Sequence, residues 1–152
     1  MNDELLTVST WSGYRMQTGD PSGVQYDFRV DASDELLGSA ILDCLSRSRF
    51  LDTEESRAEL FDFETGQRNY LTWIERLMQF GGYRTRRALF KQMARCGIEQ
   101  EDGTITIRPT HHEKLEGWSG QGFTPADYVV VPASAAPAEI GAALREAFRR
   151  CT

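Results

Sequence analysis

Histidine and carboxylate side chains gather at one place in this sequence, His111-His112-Glu113, where they could bind a metal ion or transfer protons. Adjacent residues on a strand point to opposite faces, and on a helix they lie about 100° apart. A helical metal pair needs i, i+4 spacing instead, and the chain has no further histidine. We therefore expect these residues to pack in a surface loop, with no metal and no cofactor. An enzyme built on them is a minor hypothesis.

Nucleophilic catalysis is also poorly supported by the sequence. Ser119 lies in Trp118-Ser119-Gly120-Gln121-Gly122, which lacks the G-x-S-x-G order and the strand-to-helix context of a nucleophile elbow. Cys96 is placed near a predicted helix C-terminus, whose negative dipole end raises a thiol pKa. The three cysteines, Cys44, Cys96 and Cys151, show no C-x-x-C spacing and indicate reduced thiols, Cys44 in the core. We expect a protein that is not an enzyme.

A basic cluster lies in a stretch without any acid between Arg76 and Glu99. It consists of Arg84, Arg86, Arg87, Lys91 and Arg95. On a helix beginning near Thr85, residues 84, 87, 91 and 95 would fall on one side by i+3 and i+4 spacing. Such a basic face is typical either of a regulator that binds nucleic acid or of a solvated surface that pairs with the acids upstream. We prefer the second interpretation because the whole chain is acidic, with a formal net charge of -6.

An acidic stretch precedes this cluster and has Arg57 as its only cation. Its members are Asp52, Glu54, Glu55, Glu59, Asp62 and Glu64. Such a stretch is either an ordinary solvated face or a surface that steers a basic partner. Three phenylalanines, at positions 50, 61 and 63, interleave with the acids and suit either interface anchors or core residues. We predict that the six acids bind a partner.

The first half of the chain predicts strands followed by three helices. Short strands are expected at Leu5–Ser9 and Val24–Val30, the second with one buried face. Asp31 or Ser33 can cap a helix reaching about Arg47, in which Gly38 suggests close packing. A second helix is predicted over Gln67–Phe80, ended by Gly81-Gly82, and a third from Thr85 to Gly97.

The second half predicts strands and a last helix. Asp102-Gly103 favours a hairpin between a strand beginning at Ile98 and another over Thr104–Arg108. Tyr128–Val131 is predicted as a strand buried on both faces, and Pro137 suits the first turn of a helix. This order predicts an α+β fold in which both strand groups share one mostly antiparallel sheet, covered by helices.

Length and composition favour one folded domain spanning residues 1–152, since 40% of its residues are hydrophobic. The acidic balance argues against general nucleic-acid binding. Acids at Asp3 and Glu4, with no apolar run after them, do not resemble a signal peptide. We expect a cytoplasmic protein that neither enters membranes nor binds nucleic acid directly.

Several segments together resemble the contact-dependent growth inhibition (CDI) immunity proteins, in order and spacing, over nearly the whole chain. They are Leu37–Leu42, Ser46–Arg49, Tyr70–Ile74, Tyr83–Met93, Ile107–His112, Trp118, Ile140–Arg145 and Arg150-Cys151. The resemblance implies a cytosolic protein that binds and neutralises the C-terminal toxin domain of a cognate secreted effector. Such toxins are often nucleases with a basic substrate groove, which an acidic inhibitor suits.

Overall fold

The computed structural model describes the backbone of residues 1–152 and every side chain except those of residues 55, 56 and 59. The first half of the chain forms four short strands and then four helices. The strands are β1 (Leu5–Ser9), β2 (Trp11–Gly13), β3 (Gln17–Gly19) and β4 (Gln25–Arg29). The helices are α1 (Asp34–Ser46), α2 (Glu54–Leu60), α3 (Phe63–Gly81) and α4 (Arg86–Phe90).

The second half forms strands and then a long final helix. The strands are β5 (Cys96–Glu101), β6 (Thr104–Pro109), β7 (His111–Lys114), β8 (Gly117–Ser119) and, after a 3-10 turn at Pro125–Asp127, β9 (Val129–Pro132). Helix α5 spans Pro137–Arg150. Four antiparallel sheets result, with strand orders β1-β4, β2-β3, β5-β6-β9 and β7-β8.

The main core lies where α1 and α5 pack on each other and on strands from both halves of the chain. Leu37 and Ile41 of α1 and Ile140 and Leu144 of α5 are almost fully buried there. Ile105 and Ile107 of β6 join them, as do Val24, Tyr26 and Phe28 from the region of β4. The buried residues of α1 and α5 recur at helical spacing, so each helix presents one apolar face to this core.

A second core lies beneath α3 and α4. Ile74, Leu77, Leu89, Phe90 and Met93 are its buried members, together with Leu5. Strand β1 stands between the two cores, because successive side chains of a strand point to opposite faces. Leu5 faces the second core and Leu6 the first, and both are inaccessible to solvent. This short strand fixes the position of the α3–α4 unit relative to the α1–α5 pair.

Several local predictions are confirmed. The Ser33 hydroxyl accepts a hydrogen bond from the Leu36 amide and caps α1. Thr85 caps α4 in the same way, and Gly82 ends α3 at a φ of 73°. Asp102 and Gly103 have φ values of 46° and 74°, as the tight turn of a β5–β6 hairpin requires.

Other predictions are wrong. The two strand groups do not share a sheet, since no ladder joins β1-β4 to β5-β6-β9 among the described residues; side chains of both groups pack in the main core. Val130 is 56% exposed, so β9 is not buried on both faces. Helix α4 ends at Phe90 and Gly97 lies in β5, because the Ala94 amide donates to the Met1 carbonyl oxygen and turns the chain away. Residues Glu54–Leu60 of the acidic stretch, for which no secondary structure was predicted, form the helix α2.

No helix in the described part of the chain combines the length and the apolar composition needed to cross a membrane.

Candidate partner-binding surface

The predicted acidic residues lie just before α2, on α2 and at the start of α3, where Asp62 is the N-cap residue. Asp52, Glu54, Asp62 and Glu64 are exposed, whereas the side chains of Glu55 and Glu59 lie outside the described residues. Leu60 is buried and attaches α2 to the body of the protein. Among the described side chains, Asp52, Glu54 and Glu64 have no cation within ion-pair distance. Their negative charges therefore face solvent.

Asp62 has a structural role as well as a charge. Its carboxylate accepts a hydrogen bond of 2.8 Å from the Thr65 amide and caps the N-terminus of α3. Hydrogen bonds from the side chain and backbone of Thr65 lower the pKa of this carboxyl. The positive end of the helix dipole also favours an anion at this position.

Aromatic side chains flank the acidic stretch at both ends. Phe50 is 69% exposed and Phe63 is 80% exposed, whereas Phe61 is half-buried. A large exposed apolar side chain gains little from folding, so two of them beside unpaired carboxylates are typical of an interface. Of the two roles that suit these phenylalanines, the structure favours the interface for Phe50 and Phe63.

Phe50 contacts one of several exposed large apolar residues on the β2–β3 hairpin. The Tyr14 ring meets the Phe50 ring edge-on, with their centroids 5.0 Å apart. Trp11 and Met16, which are 36% and 67% exposed, lie on the same β2–β3 hairpin as Tyr14. We call Trp11, Tyr14, Met16 and Phe50 the aromatic patch. The hairpin residues of this patch were not predicted to contact a partner. The sequence signal for them is the presence of two large apolar residues, Tyr14 and Met16, in a segment of turn residues.

Backbone pairing holds this patch next to the acidic stretch. The Gly13 amide donates to the Arg49 carbonyl oxygen at 3.0 Å, and the Leu51 amide donates to the Gly13 carbonyl oxygen at 3.1 Å. A Cβ on Gly13 would lie 2.0 Å from the Met16 carbonyl oxygen, and its φ is 149°, so this hairpin requires glycine. The acids begin at Asp52, one residue after Leu51.

An ion pair between a buried carboxylate and a partly exposed arginine supports the patch. Asp20, whose side chain is fully buried, receives hydrogen bonds from the Arg49 guanidinium at 2.7 and 2.9 Å. The Ser12 hydroxyl donates to the same carboxylate at 2.6 Å, and the Ser22 amide donates to it at 2.9 Å. These bonds join the β2–β3 hairpin to the segment that carries Phe50.

The basic cluster does not form the helical face that the sequence predicted. Helix α4 spans only residues 86–90, so Arg84 precedes it, Lys91 caps it and Arg95 lies beyond it. Arg86 pairs with Glu116 at 2.7 Å, and the Arg95 guanidinium lies 4.2 Å from the centre of the Trp11 ring. The expected pairing with the acids upstream is therefore wrong for Arg86. The single face on which the nucleic-acid hypothesis depends is also missing.

His111 and His112 occupy separate surroundings at the start of β7. The His111 ring stacks on Phe123 with centroids 4.3 Å apart, and the His112 ring stacks on Trp118 at 5.1 Å. His111 Nδ1 also contacts the Thr152 hydroxyl, and His112 Nε2 lies 3.2 Å from the Leu115 carbonyl oxygen. The pair is built into packing contacts rather than aimed at one ligand.

The remaining candidate nucleophiles are Ser119 and the predicted core cysteine, Cys44. The Ser119 hydroxyl accepts a hydrogen bond from the Gln121 amide within a turn. Cys44 is buried in the main core, as predicted, and burial raises its pKa to about 11. In the part of the chain with described side chains, no three His, Cys, Asp or Glu residues cluster as metal ligands would.

Comparison with known proteins decides the family. A family described as CDI immunity protein matches residues 1–151. The chain belongs to the CDI immunity protein family. The resemblance found in the sequence is therefore confirmed.

One curated CDI immunity protein and two solved structures are close relatives. Immunity protein CdiI-YPIII of Yersinia pseudotuberculosis serotype O:3 (strain YPIII) is 41% identical over 162 residues, covering 99% of this chain and 92% of the relative. A CdiA-CT/CdiI toxin and immunity complex from Yersinia pseudotuberculosis matches with a TM-score of 0.90 and 39% identity, covering 100% of this chain and 94% of the other. A protein of unknown function from Neisseria meningitidis, NMB0488, matches with a TM-score of 0.89 and 35% identity, covering 100% and 92%. The predicted α+β fold is confirmed by these structures.

Proposed function

We propose that this chain binds and neutralises the C-terminal toxin domain of a cognate CDI effector. The observation that carries the proposal is the match over the whole chain to the immunity protein of a solved toxin and immunity complex. The match to the CDI immunity protein family extends over residues 1–151, and the relative from Yersinia pseudotuberculosis is 41% identical, which supports the same role for this chain.

The proposed toxin is a basic nuclease. A nuclease needs positive charge around its substrate groove, and a protein with a net charge of -6 complements such a surface. Carboxylates can also take the positions of substrate phosphates. The steering set we propose is the one predicted from the sequence: Asp52, Glu54, Glu55, Glu59, Asp62 and Glu64.

The aromatic patch and Phe63 supply the anchors that charge alone does not provide. Long-range attraction raises association rates, whereas buried aromatic side chains slow dissociation. Phe63 lies between Asp62 and Glu64, and Phe50 lies two residues before Asp52. We propose that one toxin surface meets both the carboxylates and these rings.

The chain acts by binding rather than by catalysis in this proposal, and it acts in the cytosol, where a nuclease toxin meets its substrate. The histidines and the serine that the sequence singled out are engaged in stacking and turn contacts. Inhibition then follows a binding isotherm with one immunity protein per toxin.

The decisive experiment is co-purification with the toxin domain encoded immediately upstream, followed by titration of toxic activity with the purified chain. Activity should fall linearly to zero at one equivalent. The matched control is the toxin domain of an unrelated CDI system, which should remain active because specificity depends on cognate contacts. A folded chain that neither binds nor protects would contradict the proposal.

The surface is tested separately with Phe63→Ala and Leu71→Ala. Both side chains are exposed on α3, at 80% and 43%, but only Phe63 adjoins the acids. Phe63→Ala should weaken toxin binding by at least about tenfold while Leu71→Ala leaves it unchanged. Equal affinities for the two variants would reject this surface and leave the neutralising role intact.

A further inference from the structure

Two cysteines that are far apart in the sequence lie side by side in the fold. Cys96 begins β5 and Cys151 follows the last turn of α5, yet their sulfur atoms are 3.5 Å apart. A disulfide needs a sulfur separation of about 2.05 Å, so the two atoms need to approach by about 1.5 Å. Side-chain rotation supplies movements of this size.

Backbone pairing keeps the two residues together. Cys96 pairs with Pro109 in the β5–β6 ladder. Beyond Cys151, the Thr152 amide donates to the Thr110 carbonyl oxygen at 3.3 Å, and the His112 amide donates to the Thr152 carbonyl oxygen at 2.7 Å. Both cysteines are thus attached to the same segment, residues 109–112. Their proximity is a property of the fold rather than of one rotamer.

The two thiols differ in reactivity. The hydrogen bond from the Cys96 thiol lowers the pKa of Cys151 to about 7. The same contact, together with burial, raises the pKa of Cys96. Thiolates are the nucleophiles in thiol oxidation, so Cys151 is the thiol that reacts first and Cys96 the one that resolves the product.

We propose that Cys96 and Cys151 form a reversible disulfide when the protein meets hydrogen peroxide. The Cys151 thiolate attacks one peroxide oxygen, the O–O bond breaks and hydroxide leaves, which produces a sulfenic acid. Cys96 then loses its proton and attacks the Cys151 sulfur, so that the S–S bond forms, the S–O bond breaks and water leaves. Two thiols and one peroxide yield one disulfide and two waters.

The cross-link closes a loop between residues 55 positions apart and fastens the end of α5 to β5. It restricts the unfolded chain, and typical disulfides of this kind raise the unfolding temperature of a protein of this size by about 5–15 °C. In a reducing cytosol the pair stays as thiols.

The test uses the full purified chain, reduced and then exposed to hydrogen peroxide with no toxin present. The intact mass should fall by two hydrogens, peptide mapping should join Cys96 to Cys151, and dithiothreitol should restore the starting mass. The initial rate should rise as the pH passes about 7, where Cys151 becomes a thiolate. The cross-linked form should also unfold at a higher temperature than the reduced form.

Three variants complete the test, each first checked for thermal unfolding in the reduced state. Cys151→Ser should slow peroxide consumption by at least about tenfold, and Cys96→Ser should leave a sulfenic acid on Cys151 that dimedone traps. Cys44→Ala is the matched control and should react like the parent, because Cys44 is buried in the main core. Oxidation of Cys151 without cross-linking in the parent chain, or cross-links that include Cys44, would overturn the proposal.

Discussion

Gly38 of α1 touches the backbone of Pro137, the first residue of α5, so closely that no side chain fits between them. A Cβ on Gly38 would lie 1.8 Å from the Pro137 carbonyl oxygen. The contact has a counterpart on the other helix, since a Cβ on Gly141 would lie 1.9 Å from the Asp34 carbonyl oxygen. Two glycines, one on each helix, therefore let α1 and α5 approach at the level of their backbones.

Gly38→Ala should destabilise the protein because the obstacle is backbone and cannot rotate away. We expect the free energy of unfolding to fall by about 2–4 kcal/mol, measured by urea denaturation. Gly66→Ala in α3 is the control, since nothing lies within 4 Å of its Cβ position. It should raise stability by about 0.5–1 kcal/mol through the better helix propensity of alanine. Similar effects at both positions would show that the close approach is unimportant.

Arg145 joins the same two helices by hydrogen bonds. Its guanidinium donates to the Asp34 carboxylate at 2.7 Å, to the Val30 carbonyl oxygen at 3.0 Å and to the Ala32 carbonyl oxygen. Arg145→Met keeps most of the apolar stem but leaves these acceptors without their donor, which should cost about 1–3 kcal/mol in urea denaturation.

Arg149 provides the comparison for Arg145 on the same helix. Among the described side chains its ion-pair partner is Glu146, three residues away, and Arg149 itself is 67% exposed. Arg149→Met should therefore change the free energy of unfolding by less than about 0.5 kcal/mol. If both methionine variants lose the same stability, then the loss of a positive charge or a change in helix propensity explains the result, and the connection between α1 and α5 does not.

Asp20 should make stability depend on pH in the acid range. Its burial alone would raise the pKa, but hydrogen bonds from Arg49, Ser12 and the Ser22 amide outweigh burial and lower the pKa below its ordinary value of 3.8. A carboxyl whose pKa is lower in the folded state stabilises the protein at pH values above its unfolded pKa. That contribution is lost as the pH falls below about 4, through the lower pKa of the folded state.

The pH dependence can be measured by urea denaturation of the parent and Asp20→Asn between neutral pH and pH 3. The parent should lose stability more steeply below about pH 4 than the variant, which has no carboxyl to protonate at this position. Ser12→Ala, which removes one of the donors, should give an intermediate slope. Parallel curves for the parent and Asp20→Asn would contradict the role of this ion pair.

Local features of the fold could be predicted from the sequence because their causes lie within a few residues. Ser33 caps a helix with its own hydroxyl, and Asp102-Gly103 turns a hairpin through its positive φ values. The extent of α4 could not be predicted this way. The chain leaves the helix after Phe90 because Ala94 pairs with Met1, a contact between residues remote in the sequence.

The same distinction between local and long-range causes applies to the candidate site. The acidic stretch is contiguous, so its charge could be read from the sequence. The contact between Tyr14 and Phe50 depends on pairing between Gly13 and the segment around Arg49, which no local pattern reveals. The proximity of Cys96 and Cys151 likewise exists only once α5 has packed beside β5.

The last prediction concerns the acids that we propose to steer the toxin. Neutralising Asp52, Glu54 and Glu64 together, as Asn, Gln and Gln, should slow association with a basic toxin by at least about tenfold at low salt. The dependence of that rate on ionic strength should also become flatter, because fewer opposite charges remain to be screened. Stopped-flow or surface-based kinetics at several salt concentrations measures both effects.

Asp62 needs its own substitution because it caps α3. Asp62→Asn removes the charge but keeps an oxygen that can accept the Thr65 amide, so stability should be retained while association slows. Asp62→Ala removes both and should also lower the free energy of unfolding by about 1 kcal/mol. The control for general acidity is Glu101→Gln together with Asp102→Asn, at the exposed turn between β5 and β6. If this control slows association as much as the α2–α3 variants do, then net charge rather than the acidic stretch attracts the toxin.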